Sequence, residues 1–242
     1  MADDIISFNV KAENACFADP LTRIGGERFS YQVPTYSALK GICDNIYWKP
    51  TFIWEVKRVR VLNQIQYEQK AFLFPSTLCG DSKTNQSDRA FALELWDVSY
   101  NVEARLIWNE DRPDLKNDRN LKKHMEIARR SIAKGGRLPI YLGKKEGSCY
   151  AEVNPAEFYD GEGYYDNAGE FPCGIMLHGI TYPTQKDHTL KVRLWHPIMR
   201  NGVIEFIRPD ECTMVTTLKK AKPAGQHEHI PVEEEWEEMM RT

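Results

Sequence analysis

Long apolar runs are missing from this 242-residue chain, and none approaches the roughly 18 consecutive apolar residues a membrane-spanning helix needs. The start, Met1-Ala2-Asp3-Asp4-Ile5-Ile6, has neither the basic segment nor the apolar core of a secretory signal, which points to the cytoplasm. Paired cysteines are missing too. Cys16, Cys43, Cys79, Cys149, Cys173 and Cys212 are scattered without a CxxC pair, which argues against a zinc knuckle or a small disulfide scaffold and leaves reduced thiols. There is no GxGxxG, Walker A or GxSxG motif, so dinucleotide, P-loop and α/β-hydrolase chemistry lose their usual support. The carboxylates show no two-metal spacing, and His227-x-His229 has no third ligand in register, so neither a metal nor a cofactor is expected.

An excess of positive charge is also lacking, since the formal net charge is −3. The acids, however, are unevenly placed. The last 15 residues carry Glu228, Glu233, Glu234, Glu235, Glu237 and Glu238 against Arg241, and the rest of the chain stands at +2. A mildly positive body with local basic clusters is compatible with phosphate binding, because the local field counts for more than the total.

Periodicity organises what is present. Val98, Tyr100, Val102, Ala104, Leu106 and Trp108 alternate as a half-buried strand. Leu121, Met125, Ala128 and Ile132 then follow helical spacing, with Asn117 or Asp118 as the expected N-cap and Gly135-Gly136 as the stop. Leu138 to Leu142 reads as a short strand. Earlier, Ile5 to Val10 and Arg28 to Val33 read as strands. A helix opens at Pro34-Thr35, buries Leu39, Ile42 and Ile46, and ends by Pro50. From Thr51 to Leu62 the apolar parity switches, which predicts a β-bulge near Lys57-Arg58.

The order is βαβ, an insertion at about 63–97, then βαβ. This is the ferredoxin-like order within an α+β fold, and it occupies residues 1–145. Short strands and aromatic, glycine-rich turns predict a smaller β-rich unit over 146–218. Residues 219–242 have little apolar content and are expected to form a mobile acidic tail with no further long helix.

Three clusters can carry chemistry. Tyr47 and Trp48, with Lys49, leave the first helix and suit either base stacking and phosphate contact or core packing. Lys122-Lys123-His124 sits in the first turns of the second helix, with His124 one residue from the buried stripe and so at the edge of the core. A charged helix face explains that triplet equally well. Arg129-Arg130 runs into Gly135-Gly136-Arg137, a basic helix end that serves phosphate contact or a plain C-cap. Lys57, Arg58, Arg60, Lys144 and Lys145 add positive charge on neighbouring elements of the expected sheet.

Several motifs occur in order along the chain: Tyr31-Gln32-Val33-Pro34-Thr35-Tyr36-Ser37-Ala38 running into Gly41, Ile46-Tyr47-Trp48-Lys49-Pro50, Arg60-Val61-Leu62-Asn63, and Lys123-His124 leading to Arg130-Ser131-Ile132 and Gly135-Gly136-Arg137. Together they resemble the subtype d members of the fifth Cas protein family, the crRNA-processing endoribonucleases of type I-C CRISPR systems in the RAMP superfamily. The resemblance spans about residues 5 to 215 and implies a ferredoxin-like N-terminal domain with a smaller antiparallel β-sheet C-terminal domain. It implies Tyr47, Lys123 and His124 as catalytic residues that cut CRISPR repeat RNA below its hairpin. The 5′ tag of the guide RNA would then stay in the interference complex, beside its backbone and large subunits. Trp48, Lys49, Lys57, Arg58, Arg60, Arg130, Arg137, Lys144 and Lys145 are the expected RNA contacts. One loop departs from the family pattern of glycine, basic residues and Glu-Cys, because Gly147-Ser148 separates Glu146 from Cys149.

Metal-free RNA cleavage needs a base for the 2′-hydroxyl, an acid for the 5′-oxygen and a cation for the phosphorane, and it leaves a 2′,3′-cyclic phosphate. Histidine, with an ordinary pKa of about 6.5, suits His124 to proton transfer. Lys123 supplies fixed positive charge. Tyrosine titrates near 10, which favours an orienting or hydrogen-bonding role for Tyr47. Two other readings remain at this level: a noncatalytic subunit that caps the guide's 5′ end, and a metal-dependent DNase.

Overall fold

The structure, a computed structural model, describes residues 3–20, 22, 28–75, 87–144, 149–183, 187–220 and 231–241. The chain runs β1 (Ile5–Ala15), β2 (Arg28–Phe29), α1 (Tyr36–Ile46), β3 (Phe52–Val61), β4 (Gln66–Pro75), β5 (Ser87–Trp108) and α2 (Leu121–Ala133). It continues through β6 (Ile140–Tyr141), β7 (Tyr150–Pro155), β8 (Glu170–Pro172), β9 (Met176–Thr181), β10 (Thr189–Trp195), β11 (Ile198–Arg200), β12 (Val203–Glu205), β13 (Met214–Lys220) and α3 (Val232–Arg241). This is a mixed α and β architecture with mostly antiparallel sheets.

Among the described residues the larger sheet follows the order β6-β7-β1-β5-β3-β12-β11-β8, with β2 and β4 also paired to β5. A separate three-stranded sheet has the order β13-β10-β9. Apart from β2 beside β5, the ladders are antiparallel. The predicted bulge is present, as the β3–β5 register shifts between Val56 and Arg58 and leaves Lys57 as the extra residue. It turns Val59 and Val61 into the core and Arg58 and Arg60 to the opposite face. The expected insertion is a hairpin arm, with β4 paired to the first part of β5 from Gln66↔Trp96 to Pro75↔Ser87.

Helix α1 starts where Thr35 Oγ1 accepts from the Ala38 amide at 3.2 Å. Its stripe Tyr36, Leu39, Ile42, Cys43 and Ile46 is buried. Helix α2 is capped by Asn120, whose side chain accepts from the Lys123 amide at 3.3 Å, and this corrects the expected cap at Asn117 or Asp118. Those two residues instead lie in a 3₁₀ turn, Pro113–Asp118, that delivers the chain to α2. The helix stops as expected at Gly135 and Gly136, with φ of +84° and +97°. Beyond them, the Arg137 and Leu138 amides donate to Asn45 O at 3.2 and 3.1 Å, which ties the glycine turn to the end of α1.

Two further expectations are corrected. The strand over Leu138 to Leu142 shortens to β6 and pairs with β7, while β7 takes the place beside β1. The expected boundary at 145/146 therefore falls between two paired strands. The acidic tail is not featureless either. Val232–Arg241 is a helix whose Val232, Trp236 and Met239 turn towards the core, at spacings of four and three.

Around the three-stranded sheet, the His178 ring stacks on Tyr36 at 4.2 Å and hydrogen-bonds Ile207 O through Nε2 at 2.8 Å. Burial lowers its pKa from 6.5 to about 4. Because the folded value lies below the unfolded one, His178 contributes stability above the unfolded pKa that is lost as pH falls towards the folded one. Urea midpoints are expected to drop between about pH 7 and pH 4.5 more steeply in the wild type than in His178→Phe. Equal slopes would remove His178 as the source.

Candidate active site

The end of α1 brings Tyr47 to α2. Ser131 Oγ donates to Ile46 O, and the Tyr47 amide donates to Cys43 O at 3.0 Å, after which the backbone leaves the helix in an extended conformation. Trp54 on β3 donates its indole N–H to Tyr47 O at 2.6 Å. The phenol is thereby held against α2, where Tyr47 Oη lies 2.8 Å from His124 Nδ1.

His124 is fully buried, not at the core's edge as the spacing implies. Buried positions on α2 include His124, Met125, Ile127, Ala128, Ser131 and Ile132, a wider face than the four-residue stripe, and the rings of Phe52 and Trp108 meet the imidazole edge-on. Its Nε2 lies 2.9 Å from Asp118 O. A carbonyl only accepts, so Nε2 carries a proton, and in the neutral ring Nδ1 is free to accept from the Tyr47 hydroxyl. The buried Asp118 carboxylate stands 3.8 Å from Nε2, where it would balance an imidazolium. Thr51 Oγ1 donates to this carboxylate at 2.7 Å, and the Val232 amide donates to its other oxygen. Asp118 and Thr51 were not legible as site residues, because their role depends on a turn and a strand end meeting beneath α2.

Lys123, the third expected member, faces the other way. Its ammonium pairs with Glu233 and sits 4.8 Å from the Trp236 ring on α3. Arg137 lies over the Tyr47 ring at 4.5 Å, and Arg130 donates to Met239 O at 3.0 Å. Trp48 is part exposed and Lys49 is buried. Among the described residues the remaining expected RNA contacts, Lys57, Arg58, Arg60 and Lys144, stand beside carboxylates. Arg58 makes a two-pronged pair with Glu103 at 2.9 and 2.8 Å and lies 4.0 Å over the Phe158 ring. Arg60 pairs likewise with Asp166, whose carboxyl it holds below the usual range. Lys57 meets Glu55 at 3.3 Å, and Lys144 stands 3.6 Å from Glu94. Lys145, His227 and His229 lie outside the described residues.

Beside Lys144, Gly143 has φ +86°, and an added Cβ would meet Cys16 O at 2.2 Å, so glycine is required there by backbone approach alone. Among the described residues no disulfide joins Cys16, Cys43, Cys149, Cys173 or Cys212. Among the described residues no helix is long and apolar enough to cross a membrane, and no group of three or more metal-ligating side chains occurs.

The family model Cas_Cas5d, described as CRISPR-associated protein (Cas_Cas5), matches residues 5–207. The chain belongs to the Cas5d family. Among its Cas5d relatives, a protein of Thermus thermophilus named CRISPR pre-crRNA endoribonuclease Cas5d is 32% identical over 167 residues, 64% of this chain and 67% of that one. A protein of the same name from Mannheimia succiniciproducens is 31% identical over 219 residues, 83% of this chain and 93% of that one. A solved structure described as a CRISPR-associated protein superposes with a TM-score of 0.71 at 36% identity, over 88% of this chain and 96% of that one. The protein SMU1763c of Streptococcus mutans, described as functionally uncharacterized, has the same TM-score of 0.71 and identity of 36%, over 88% of this chain and 97% of its own.

Proposed function

We propose that this Cas5d-family chain is a metal-independent endoribonuclease that cuts CRISPR precursor RNA within the repeat and then keeps the 5′ tag of the guide in a type I-C interference complex. The observation that carries the reading is the 2.8 Å contact between Tyr47 Oη and His124 Nδ1, in a family with relatives named pre-crRNA endoribonuclease. Repeat RNA, guide RNA and the backbone and large subunits of the complex are the partners, in a prokaryotic cytoplasm.

The chemistry follows from the tautomer. Neutral His124 draws the Tyr47 proton onto Nδ1, and the phenolic oxygen takes the proton of the attacking 2′-hydroxyl. In the reverse sense, imidazolium Nδ1–H supplies Tyr47 as the phenol protonates the leaving 5′-oxygen, with Asp118 balancing the charge. Tyr47 thus meets the RNA and His124 acts through it. Lys123 supplies the cation for the phosphorane once its side chain turns to the phosphate. Arg137, over the phenol ring, and the part-exposed Trp48 are the best-placed RNA contacts.

We also read the N-terminal part as a ferredoxin-like βαββαβ unit. The antiparallel order β7-β1-β5-β3, with α1 and α2 as the crossovers, supports this. The β13-β10-β9 sheet, whose last strand runs on to Lys220, supports a smaller β-rich unit over about 146–218.

A second reading, a noncatalytic RNA-binding subunit capping the 5′ end, is favoured by the complete burial of Tyr47 and His124. Incubating the purified chain with a stem-loop RNA of its cognate repeat in EDTA separates the two. Cleavage to a 2′,3′-cyclic phosphate is expected, whereas tight binding of uncut RNA would establish the noncatalytic role.

A further inference from the structure

Helix α3 lies on the same part of α2 that carries Lys123. Val232 is fully buried, and its amide donates to the Asp118 carboxylate at the foot of the Tyr47–His124 pair. One residue on, Glu233 accepts from Asn120 Nδ2 at 3.3 Å and pairs with the Lys123 ammonium. One turn further, Trp236 covers Lys123 and donates to Glu126 at 3.1 Å. Met239 O then takes the Arg130 guanidinium at 3.0 Å. Contacts advance together along both helices, through Asn120, Lys123, Glu126 and Arg130 against Glu233, Trp236 and Met239. The two helices therefore run in the same direction, with α3 over a single face of α2.

The chemistry of this cover is specific. Glu233 presents carboxylate oxygens to Lys123, the geometry a phosphate oxygen would adopt. The Asp118 carboxylate accepts from the first turn of α3, and acidic side chains beside that positive helix end favour its folding. The hold combines the buried hydrogen bond from Val232 to Asp118 and the apolar anchors Val232, Trp236 and Met239 with part-exposed ion pairs, which are worth little and are screened by salt.

We propose that α3 is a built-in occluding segment: Glu233 stands on Lys123 where an RNA phosphate binds, and Lys123 opens to RNA when α3 swings away. This rests on the proposed ribonuclease site for its consequence, although the cover itself does not. Exchange of one carboxylate for several RNA phosphates makes displacement favourable, because RNA brings more anionic contacts than the helix gives up.

The test uses the full chain with Glu233→Gln, the double variant Glu233→Gln/Trp236→Ala, and Glu238→Gln, which removes the same charge from an exposed position of α3. Acetylation of Lys123 in RNA-free protein, followed by mass spectrometry, is expected to accelerate several-fold in the double variant and less in Glu233→Gln. Affinity for the cognate repeat stem-loop and its single-turnover cleavage are expected to rise in the same order, with Glu238→Gln close to wild type. Unchanged Lys123 labelling would overturn the occlusion. Faster labelling with no gain in RNA affinity, or an equal gain in Glu238→Gln, would overturn the gate. If no variant cuts RNA but affinity rises in the expected order, the ribonuclease reading fails and the gate stands as a control on binding. Glu233→Gln keeps the apolar anchors of α3, so the comparison survives if the double variant is unstable.

Discussion

His124→Ala is expected to reduce single-turnover cleavage of the cognate repeat RNA by about 10²–10⁴-fold, the usual contribution of a positioned proton-transfer group. Both ring nitrogens are engaged, Nε2 with Asp118 O and Nδ1 with Tyr47 Oη, so the deletion removes the group proposed to take the phenolic proton. The same deletion removes one hydrogen bond from Tyr47 Oη and one from Asp118 O, which keeps the Asn120 amide at 2.9 Å, a structural cost of about 1–3 kcal/mol. Activity must therefore be read beside a thermal melt. Tyr47→Phe gives the cleaner comparison, because it removes the hydroxyl proposed to meet RNA and leaves the ring packed against Phe52 at 5.3 Å. If Tyr47→Phe binds and cuts at the wild-type rate, the relay is wrong. If His124→Ala folds and still cuts, His124 is a packing residue.

The second large effect is on folding. Trp54 is fully buried near the start of β3, with its ring edge-on to Phe52 at 5.3 Å. Trp54→Ala is expected to cost about 3–5 kcal/mol, a large part of a typical domain's stability, through the cavity and the lost packing. Urea unfolding measures this. Trp54→Phe fills much of the space but removes the donor to Tyr47 O, for which about 1 kcal/mol is expected. Cleavage by Trp54→Phe should fall by more than its stability loss accounts for, since the indole fixes the backbone that aims the phenol. A loss below about 1 kcal/mol in Trp54→Ala would mean that the site collapses around the cavity.

Much of the fold was legible because local rules and tertiary packing agree. Thr35 caps α1 as its hydroxyl and position suggest, and Gly135-Gly136 stop α2 in the left-handed region. The parity change at Lys57 marks a real bulge, since a strand with one buried face must insert a residue to keep that face inward. The strand at Leu138 to Leu142 was misplaced for the opposite reason. A short apolar run is compatible with either strand of a hairpin, and only the pairing of β7 with β1 decides which one joins the sheet.

The site divides in the same way. Tyr47, Lys123 and His124 were identified by their match to a family pattern, while their spacing alone left them equally suited to packing and to a charged helix face. Tyr47 and His124, 77 positions apart, close into a 2.8 Å contact because Asn45 O and Ile46 O bind the end of α2 and the turn after it. Arg58 and Arg60 show the limit of counting charge, since the bulge aims both across the sheet to carboxylate partners that lie far away in the chain.

By itself the sequence determined the Thr35 cap of α1, the glycine stop of α2, the bulge, the alternating strands and the family to which the chain belongs, because each depends on residues close together or on an ordered set of motifs. Tertiary structure alone decided the burial of His124, the role of Asp118 and the existence of α3. A glutamate-rich helix of 10 residues is marginal in water, and it gains its stability from docking Val232, Trp236 and Met239 onto a surface more than 90 residues earlier in the chain.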